Sequence, residues 1–265
     1  VNSFGPAVEA ASSNRSVFPT SWSLDSYKAF FSFSEYSVKW LTNTFVVSAC
    51  QVLGNVVFAS LAGYAFAKLK FKGKNFLFNL ILIGMMIPYQ VTQVPLYILI
   101  VNKFHLSNSY AALVLPGLVT SYNIFLTKQF FSSIPTSLLE SAKLDGCSQP
   151  KIFTHIVLPL SKTILAVMVL LYAIGHWNSY FNAMLYISDK QKWPLQIFLR
   201  EILIANQIDM TSMTGSSVQE MMRRQELQTL LKYALIVVAS VPVLVVYPFV
   251  QKHLVKGVMI GSVKG

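Results

Sequence analysis

The side chains that could carry chemistry are few and scattered along this 265-residue chain. Four histidines lie far from one another, and Cys50 is well separated from Cys147, so the sequence offers neither a zinc site nor a nucleophile beside its base. The chain also lacks the GxxxxGK(S/T) phosphate loop, because its single GK pair, Gly73-Lys74, has no glycine at the required distance upstream. We therefore expect that this chain is not an enzyme and that it binds neither a metal ion nor a cofactor.

A second group of polar residues lies inside long apolar runs. Amides donate and accept hydrogen bonds, and aromatic rings offer flat apolar surfaces, so together they suit weak binding of an uncharged polar solute. The same residue types also join membrane helices or form an aromatic belt, and both alternatives stay open. His176 is expected to be a helix contact, since its run contains no acid. The candidates for a solute path are Gln90, Gln93, Tyr97, Tyr122, Asn123, Trp177, Asn178, Tyr180 and Asn182.

Spacing within GHWNSYFN adds a geometric expectation. If this segment were helical, Gly175, Asn178 and Asn182 would share one stripe, and Trp177 with Phe181 would form the next.

The composition points to the elements that must position these residues. Hydrophobic residues make up 54% of the chain and charged residues only 12%, with a mean hydropathy of +0.54. Soluble domains carry about 25% charged residues, so a polytopic membrane protein is indicated. The net charge of +11 could suit nucleic acid, but the lysines cluster between apolar runs, which favours membrane topology. We expect contact with lipid and none with nucleic acid.

Five uncharged stretches are long enough to cross a bilayer. Backbone amides in hydrocarbon need internal partners, so each stretch should be a helix and the fold an all-α integral membrane bundle. Prolines within several of them predict kinks or a hinge. The predicted spans are residues 41–67, 76–101, 106–127, 161–184 and 230–250.

Lysine placement predicts orientation. The connector AKLKFKGK and the tail 251–265 carry lysines without acids and should be cytoplasmic, which puts the connector 128–160 on the same side by alternation. Residues 1–39 and 185–229 should then be extracytoplasmic, the latter with an interfacial helix whose apolar face includes Leu195, Phe198 and Ile202. An outside start without a signal sequence suggests a further spanning helix before Val1, which would make six spans.

The cytoplasmic connector contains ESAKLDGCSQPKIFTHIVLPL, which is too polar to span and too regularly patterned for a loop. Ser137 and Glu140 form a capping box, and Gly146 is placed to end the helix in a left-handed conformation. A second short helix should start near Ser148 and Pro150. Two amphipathic helices joined by a tight turn could rest on the membrane or dock a cytoplasmic partner.

This segment resembles the EAA signature of binding-protein-dependent ABC importer permeases. Ser141 replaces the middle alanine of that signature. The segments SLDSYKAFF, HWNSYFNAMLYISD and VKGVMIGSVKG further resemble the carbohydrate-uptake branch, in particular the maltose-type second permease subunit and its oligosaccharide group. The matching positions are Glu140, Ala142, Asp145, Gly146, Ile156, Leu158 and Pro159.

The resemblance implies one transmembrane domain over residues 1–265, in a bacterial cytoplasmic membrane. It implies a homologous second permease, an extracytoplasmic solute-binding protein and two ATP-binding subunits that dock on residues 137–160 and hold ATP and Mg. The cargo would be a carbohydrate, which suits the amide and aromatic candidates. The alternative is a stand-alone secondary transporter or channel for a small polar solute. Asp or Glu within the spans would favour proton coupling, and the spans contain neither.

Overall fold

A computed structural model describes residues 2–5, 21–208 and 228–248. Regular structure in these residues is helical, with short 3₁₀ turns at Asn2–Phe4 and Lys190–Lys192. In chain order the helices are α1 (Asp25–Phe33), α2 (Ser37–Lys68), α3 (Lys74–Met86), α4 (Tyr89–Lys103), α5 (Tyr110–Gly117), α6 (Ser121–Ser133), α7 (Thr136–Leu144), α8 (Gln149–Leu160), α9 (Lys162–Trp177), α10 (Phe181–Tyr186), α11 (Leu195–Ile208) and α12 (Gln228–Pro248).

Two helices, α2 and α12, are long and apolar enough to cross a membrane unaided. Three bent pairs bring the number of candidate spans to as many as five, by length and composition. The pair α3 and α4 is bent by 103°, α5 and α6 by 44°, and α8 and α9 by 78°. Residues 249–250 of the last predicted span lie outside the described residues.

Within the span predicted over residues 76–101 the helix is broken before Pro88, where a kink was expected from the proline. The chain leaves α3 at Ile87, whose extended backbone (φ −78°, ψ 120°) breaks the helix before Pro88. A residue before proline is pushed out of the helical region by the proline ring. Pro95, by contrast, is accommodated inside α4, whose last turn, Leu99–Lys103, is wound as a π-helix.

The span predicted over residues 106–127 is also interrupted, at residues 118–120 between α5 and α6. The span predicted over residues 161–184 stops early, because α9 ends at Trp177 and α10 begins only at Phe181. The helical stripes expected for Gly175, Asn178 and Asn182 are consequently not formed, since Asn178 lies outside both helices.

The long helix α2 buries polar side chains and exposes apolar ones. Its buried positions include the polar side chains of Ser48, Gln51, Asn55 and Ser60. Its exposed positions are apolar, and Phe45, Leu53, Val57, Phe58 and Leu61 are each at least 46% exposed. A water-soluble helix shows the reverse arrangement, so α2 is suited to an apolar solvent outside and hydrogen bonding inside.

The described residues form two compact units, which α2 and α12 both enter. One unit draws its residues from Val1–Val46 and Trp177–Val245, the other from Val47–His176 and Val246–Gly265.

The first unit has an apolar core built around Trp40. Its indole Nε1 donates a hydrogen bond of 2.7 Å to the Lys190 carbonyl, and Asn43 bonds the carbonyls of Gln191 (2.8 Å) and Trp193 (3.0 Å). The apolar face of α11 is covered by protein, while the interfacial position expected for this helix stays a prediction. The core comprises Phe30, Trp40, Leu195, Phe198, Ile202, Leu231, Ala234, Leu235 and Ala239.

In the second unit α2 packs closely on α6 at Gly63. A methyl group built on Gly63 would lie 2.7 Å from Cβ and Cγ2 of Thr127 and 3.1 Å from the amide nitrogen of Lys128. The Thr127 hydroxyl is itself fixed by a 2.7 Å bond to the Asn123 carbonyl, so this side chain has little room to yield.

We expect Gly63→Ala to destabilise the protein by about 1–3 kcal/mol, the usual cost of overpacking. The measurement is thermal unfolding of the purified chain in detergent. Gly175→Ala is the matched control, because nothing lies within 4 Å of a methyl group at that helical position. Equal losses in both variants would contradict the close α2–α6 contact.

Candidate functional site

The connector after α6 folds into the helix pair α7 and α8. Helix α7 begins at Thr136, after Pro135 in an extended conformation, with no side-chain hydrogen bond at its cap. The capping box predicted for Ser137 and Glu140 is therefore not formed. Pro135, whose ring fixes its backbone φ, occupies the cap position. The helix therefore starts at Thr136, and Ser137 lies inside its first turn.

Gly146 ends α7 as expected from the sequence. Its φ of +79° is left-handed, its N–H donates to the Lys143 carbonyl (3.0 Å), and the Cys147 N–H donates to the Ala142 carbonyl (2.9 Å). This pair of bonds is the Schellman arrangement, which satisfies the last carbonyls of a helix. The turn is therefore compact, and α8 follows almost at once, at Gln149.

The helix pair rests on an apolar cluster contributed by four helices. Phe131 of α6, Ile152 and Val157 of α8 are completely buried in it. Burial of this kind couples the helices, because a shift of one leaves a void against the others. The cluster comprises Tyr64, Phe131, Ile134, Leu139, Ala142, Ile152, Phe153 and Val157, with Ile156 and Leu158 packed at its edge.

Two polar contacts tie the end of α2 to the same connector. The Tyr64 hydroxyl donates a 2.8 Å hydrogen bond to Oε1 of Gln149. The Lys68 ammonium donates to the carbonyl oxygens of Ile134 and, at 3.4 Å, Ser132, which lie at the C-terminal end of α6. A cation there is favoured by the helix dipole. The connector is thus attached to α2 and α6 by packing and by hydrogen bonds.

The residues of the predicted coupling motif form two sets, one facing the protein interior and one exposed. Ala142 is buried and Ile156 and Leu158 are half-buried, so these three hold the segment in place. An outward set is exposed: Glu140, Ser141, Asp145, Gly146 and Pro159.

Leu144, missed in the sequence, is 89% exposed at the tip of the segment. Its place in the last turn, just before Asp145 and Gly146, was the signal that could have revealed it.

Within the second unit three helices meet at the buried amide of Asn55. Nδ2 of Asn123 donates 3.0 Å to its Oδ1, and its own Nδ2 lies 3.1 Å from Nε2 of His176 and 3.0 Å from the Gln51 carbonyl. Gln51 in turn donates to the Leu113 carbonyl (2.8 Å). We call Gln51, Asn55, Asn123 and His176 the polar node.

Two residues singled out in the sequence, Asn123 and His176, form contacts between helices in the polar node. Asn123 is 3% exposed and bonded within the node, and His176 joins α9 to α2 as expected. Sequence reasoning missed Gln51 and Asn55, although their i, i+4 spacing in an uncharged span was visible.

The other solute-path candidates fall in different surroundings. Gln90 and Tyr122 are exposed, and Tyr97 is 39% exposed. Gln93 differs, because both polar atoms of its amide are buried without a hydrogen-bond partner among the described residues. These four side chains belong to the second unit.

Trp177, Asn178, Tyr180 and Asn182 belong to the first unit. Nε1 of Trp177 donates 2.8 Å to the Ala239 carbonyl, and Oδ1 of Asn178 accepts from Gln196 at 3.4 Å. The Arg200 guanidinium lies 5.5 Å from the centre of the Tyr180 ring, and Asn182 is half-buried. Among the described residues no three His, Cys, Asp or Glu side chains are grouped to hold a metal ion.

Residues 55–260 match the family described as "Binding-protein-dependent transport system inner membrane component". The chain belongs to this family. The resemblance noted in the sequence is confirmed, and the chain is a membrane-embedded permease component rather than a catalytic subunit.

Relatives and a solved structure agree with this membership. Protein LplC of Bacillus subtilis (strain 168) is 40% identical, covering 99% of this chain and 86% of LplC. The polygalacturonan/rhamnogalacturonan transport system permease protein YtcP of the same organism is 40% identical, covering 99% and 89%. A crystal structure of a bacterial ABC transporter involved in alginate import matches with a TM-score of 0.81 at 24% identity, covering 95% and 86%, which supports the fold.

The polar node generates a test by double-mutant cycle. We expect Asn55→Ala and Asn123→Ala to show a coupling free energy of about 0.6 kcal/mol, and up to about 1.7, the range for hydrogen bonds between membrane helices. The measurement is unfolding of the single and double variants in detergent. Asn55→Ala combined with Thr92→Ala is the control pair, since Thr92 bonds the Tyr89 carbonyl of its own helix. A coupling no larger than that of the control pair would contradict the node.

Proposed function

We propose that this chain is the pore subunit of an ATP-driven importer that moves an oligosaccharide into a bacterial cytoplasm. It works with a homologous second permease, two ATP-binding subunits and an extracytoplasmic solute-binding protein. The observation that carries the proposal is the exposed tip of α7 on a connector that is packed and hydrogen-bonded to α2 and α6. Family membership supports the same assignment.

The connector is built to transmit force from outside the chain. Its inward side chains fill the apolar cluster, while Glu140, Leu144 and Asp145 point away from it. A partner that grips the outward residues therefore moves the cluster and, through Tyr64 and Lys68, the end of α2. Closely packed interiors transmit displacement rather than absorb it. We assign the outward residues to the ATP-binding subunit and the hydrolysis of ATP to that subunit.

The orientation follows from the same assignment. Docking of an ATP-binding subunit requires α7 and α8 to be cytoplasmic, together with the lysine-rich connector between α2 and α3. Residues 185–208 then lie on the outer side and the tail 251–265 on the inner side. This agrees with the lysine bias that orients membrane proteins.

The proposed cargo class rests on two supports. The name of YtcP, a relative along nearly the whole chain, refers to polygalacturonan and rhamnogalacturonan transport. The described part of the chain also offers amides and aromatic rings as solute contacts, among them the unpartnered Gln93 amide. Gln93 is the strongest single candidate, because a buried amide without a partner is costly unless a ligand or water meets it.

Transport measurements test the proposal directly. The assembled importer should accumulate labelled oligosaccharides of polygalacturonan or of neutral sugars in an ATP-dependent manner, in cells or in proteoliposomes supplied with the binding protein. Gln93→Leu should lower the uptake rate without reducing assembly. Uptake by the chain alone, driven by an ion gradient, would overturn the proposal in favour of a stand-alone transporter.

A second test addresses the docking tip. Leu144→Asp should reduce recovery of the ATP-binding subunit on affinity purification at least tenfold, because a charge would be placed where an apolar contact is expected. Folding should be unaffected, since Leu144 is 89% exposed. Leu24→Asp is the matched control: this leucine is 55% exposed, in the other compact unit, and should leave recovery unchanged. Full recovery with Leu144→Asp would remove the tip from the docking surface.

A further inference from the structure

The connector between α2 and α3 carries an uncompensated positive charge. Residues 68–74 contain four lysines and no acid. Lys68 and Lys74 use their ammonium groups on backbone carbonyls, Lys74 on that of Leu69 at 3.0 Å. Lys70 and Lys72 are exposed, and within the described residues they form no ion pair. This short turn thus carries two exposed cations that no carboxylate among the described residues neutralises.

Three aromatic rings pack together at this turn and at the helix ends beside it. The ring centroid of Phe66 lies 5.8 Å from that of Phe71 and 5.6 Å from that of Phe78. Lys128 of α6 places its ammonium 4.5 Å from the centre of the Phe78 ring, which adds a fifth cation beside the turn. Phe71 is 40% exposed between Lys70 and Lys72. Alternating lysine and apolar residues of this kind are typical of the membrane surface, where rings and ammonium groups meet headgroups.

Helix α3 shows what lies next to the turn. It has no buried residue, and its first turns expose Phe76, Leu77 and Leu80. Apart from the contacts of Phe78 with Phe66 and Lys128, this apolar helix exposes side chains that suit acyl chains. At 1.5 Å per residue, its first residue lies about 9 Å from Leu80 along the axis, so the turn is placed at headgroup depth.

We propose that the turn of residues 68–74, together with Lys128, binds the phosphate of an anionic phospholipid. Lys70 and Lys72 would contact the phosphate oxygens, Phe71 would lie among the upper acyl carbons, and Lys128 would add charge from the side of α6. The inference rests on the chain being embedded in a membrane and does not depend on the identity of the cargo.

The test compares retained lipids by mass spectrometry. The assembled transporter, purified through a tag on this chain, is exchanged into mixed micelles of equal phosphatidylglycerol and phosphatidylcholine, and the lipids retained per complex are counted. The wild type should retain phosphatidylglycerol in preference. The variant Lys70→Gln/Lys72→Gln should lose on the order of tenfold of that preference, given the attraction of each lysine to an anionic surface.

A matched variant controls for the change in net charge. Lys103→Gln/Lys190→Gln removes the same charge from exposed lysines elsewhere in the chain and should keep the preference. An unchanged preference in Lys70→Gln/Lys72→Gln would overturn the proposal. Loss of the ATP-binding subunit from that variant, with lipid retention intact, would also overturn it and would assign the turn to a protein partner. Because the readout is bound lipid, it stays separate from any failure of sugar uptake.

Discussion

The structure depends on the need of the buried amide side chains of α2 to find their partners inside the protein. Hydrocarbon offers no hydrogen bonds, so Gln51 and Asn55 can be kept in a spanning helix only by facing other helices. The amide of Asn55 meets this requirement by bonding to Asn123 and lying beside His176. The outward surface of α2 is left to phenylalanine, leucine and valine. The position and rotation of α2 in its bundle follow from that division.

The same helix carries the attachment of the connector. About three and a half turns beyond Gln51, the buried face of α2 reaches Gly63 and Tyr64, where it packs against α6 and bonds to α8. The helix to which the connector is attached is therefore the one that the node holds against two neighbours. The buried residues of the EAA-like segment pack on this attachment, and its exposed residues face away from it.

Much of this could be predicted from the sequence, because hydropathy and glycine geometry are local properties. The long uncharged runs marked the apolar helices, and Gly146 took the left-handed turn that its position demanded. Hydropathy, however, reports how apolar a run is and not where it bends. The prolines indicated a kink in this span, but the size of the bend at Ile87 and the end of α9 at Trp177 escaped prediction. The apolar face of α11 was likewise visible, but the choice between lipid and Trp40 as its cover is a tertiary one. The capping box expected at Ser137 did not form, because Pro135 starts the helix before Ser137 can cap it.

The sharp bend at Ile87 and Pro88 has a consequence for hydration. The last turn of α3 ends there, so its terminal carbonyl oxygens have no amide of the same helix ahead of them. Pro88 brings no N–H of its own, and the amide of Gln93 lies nearby in sequence with its hydrogen-bonding capacity unused. Bare carbonyls are not tolerated against acyl chains, so this level of the bundle must be wetted or met by donors from a neighbouring chain. The bend thus marks a level of the bundle at which the backbone of α3 can accept hydrogen bonds from outside the helix.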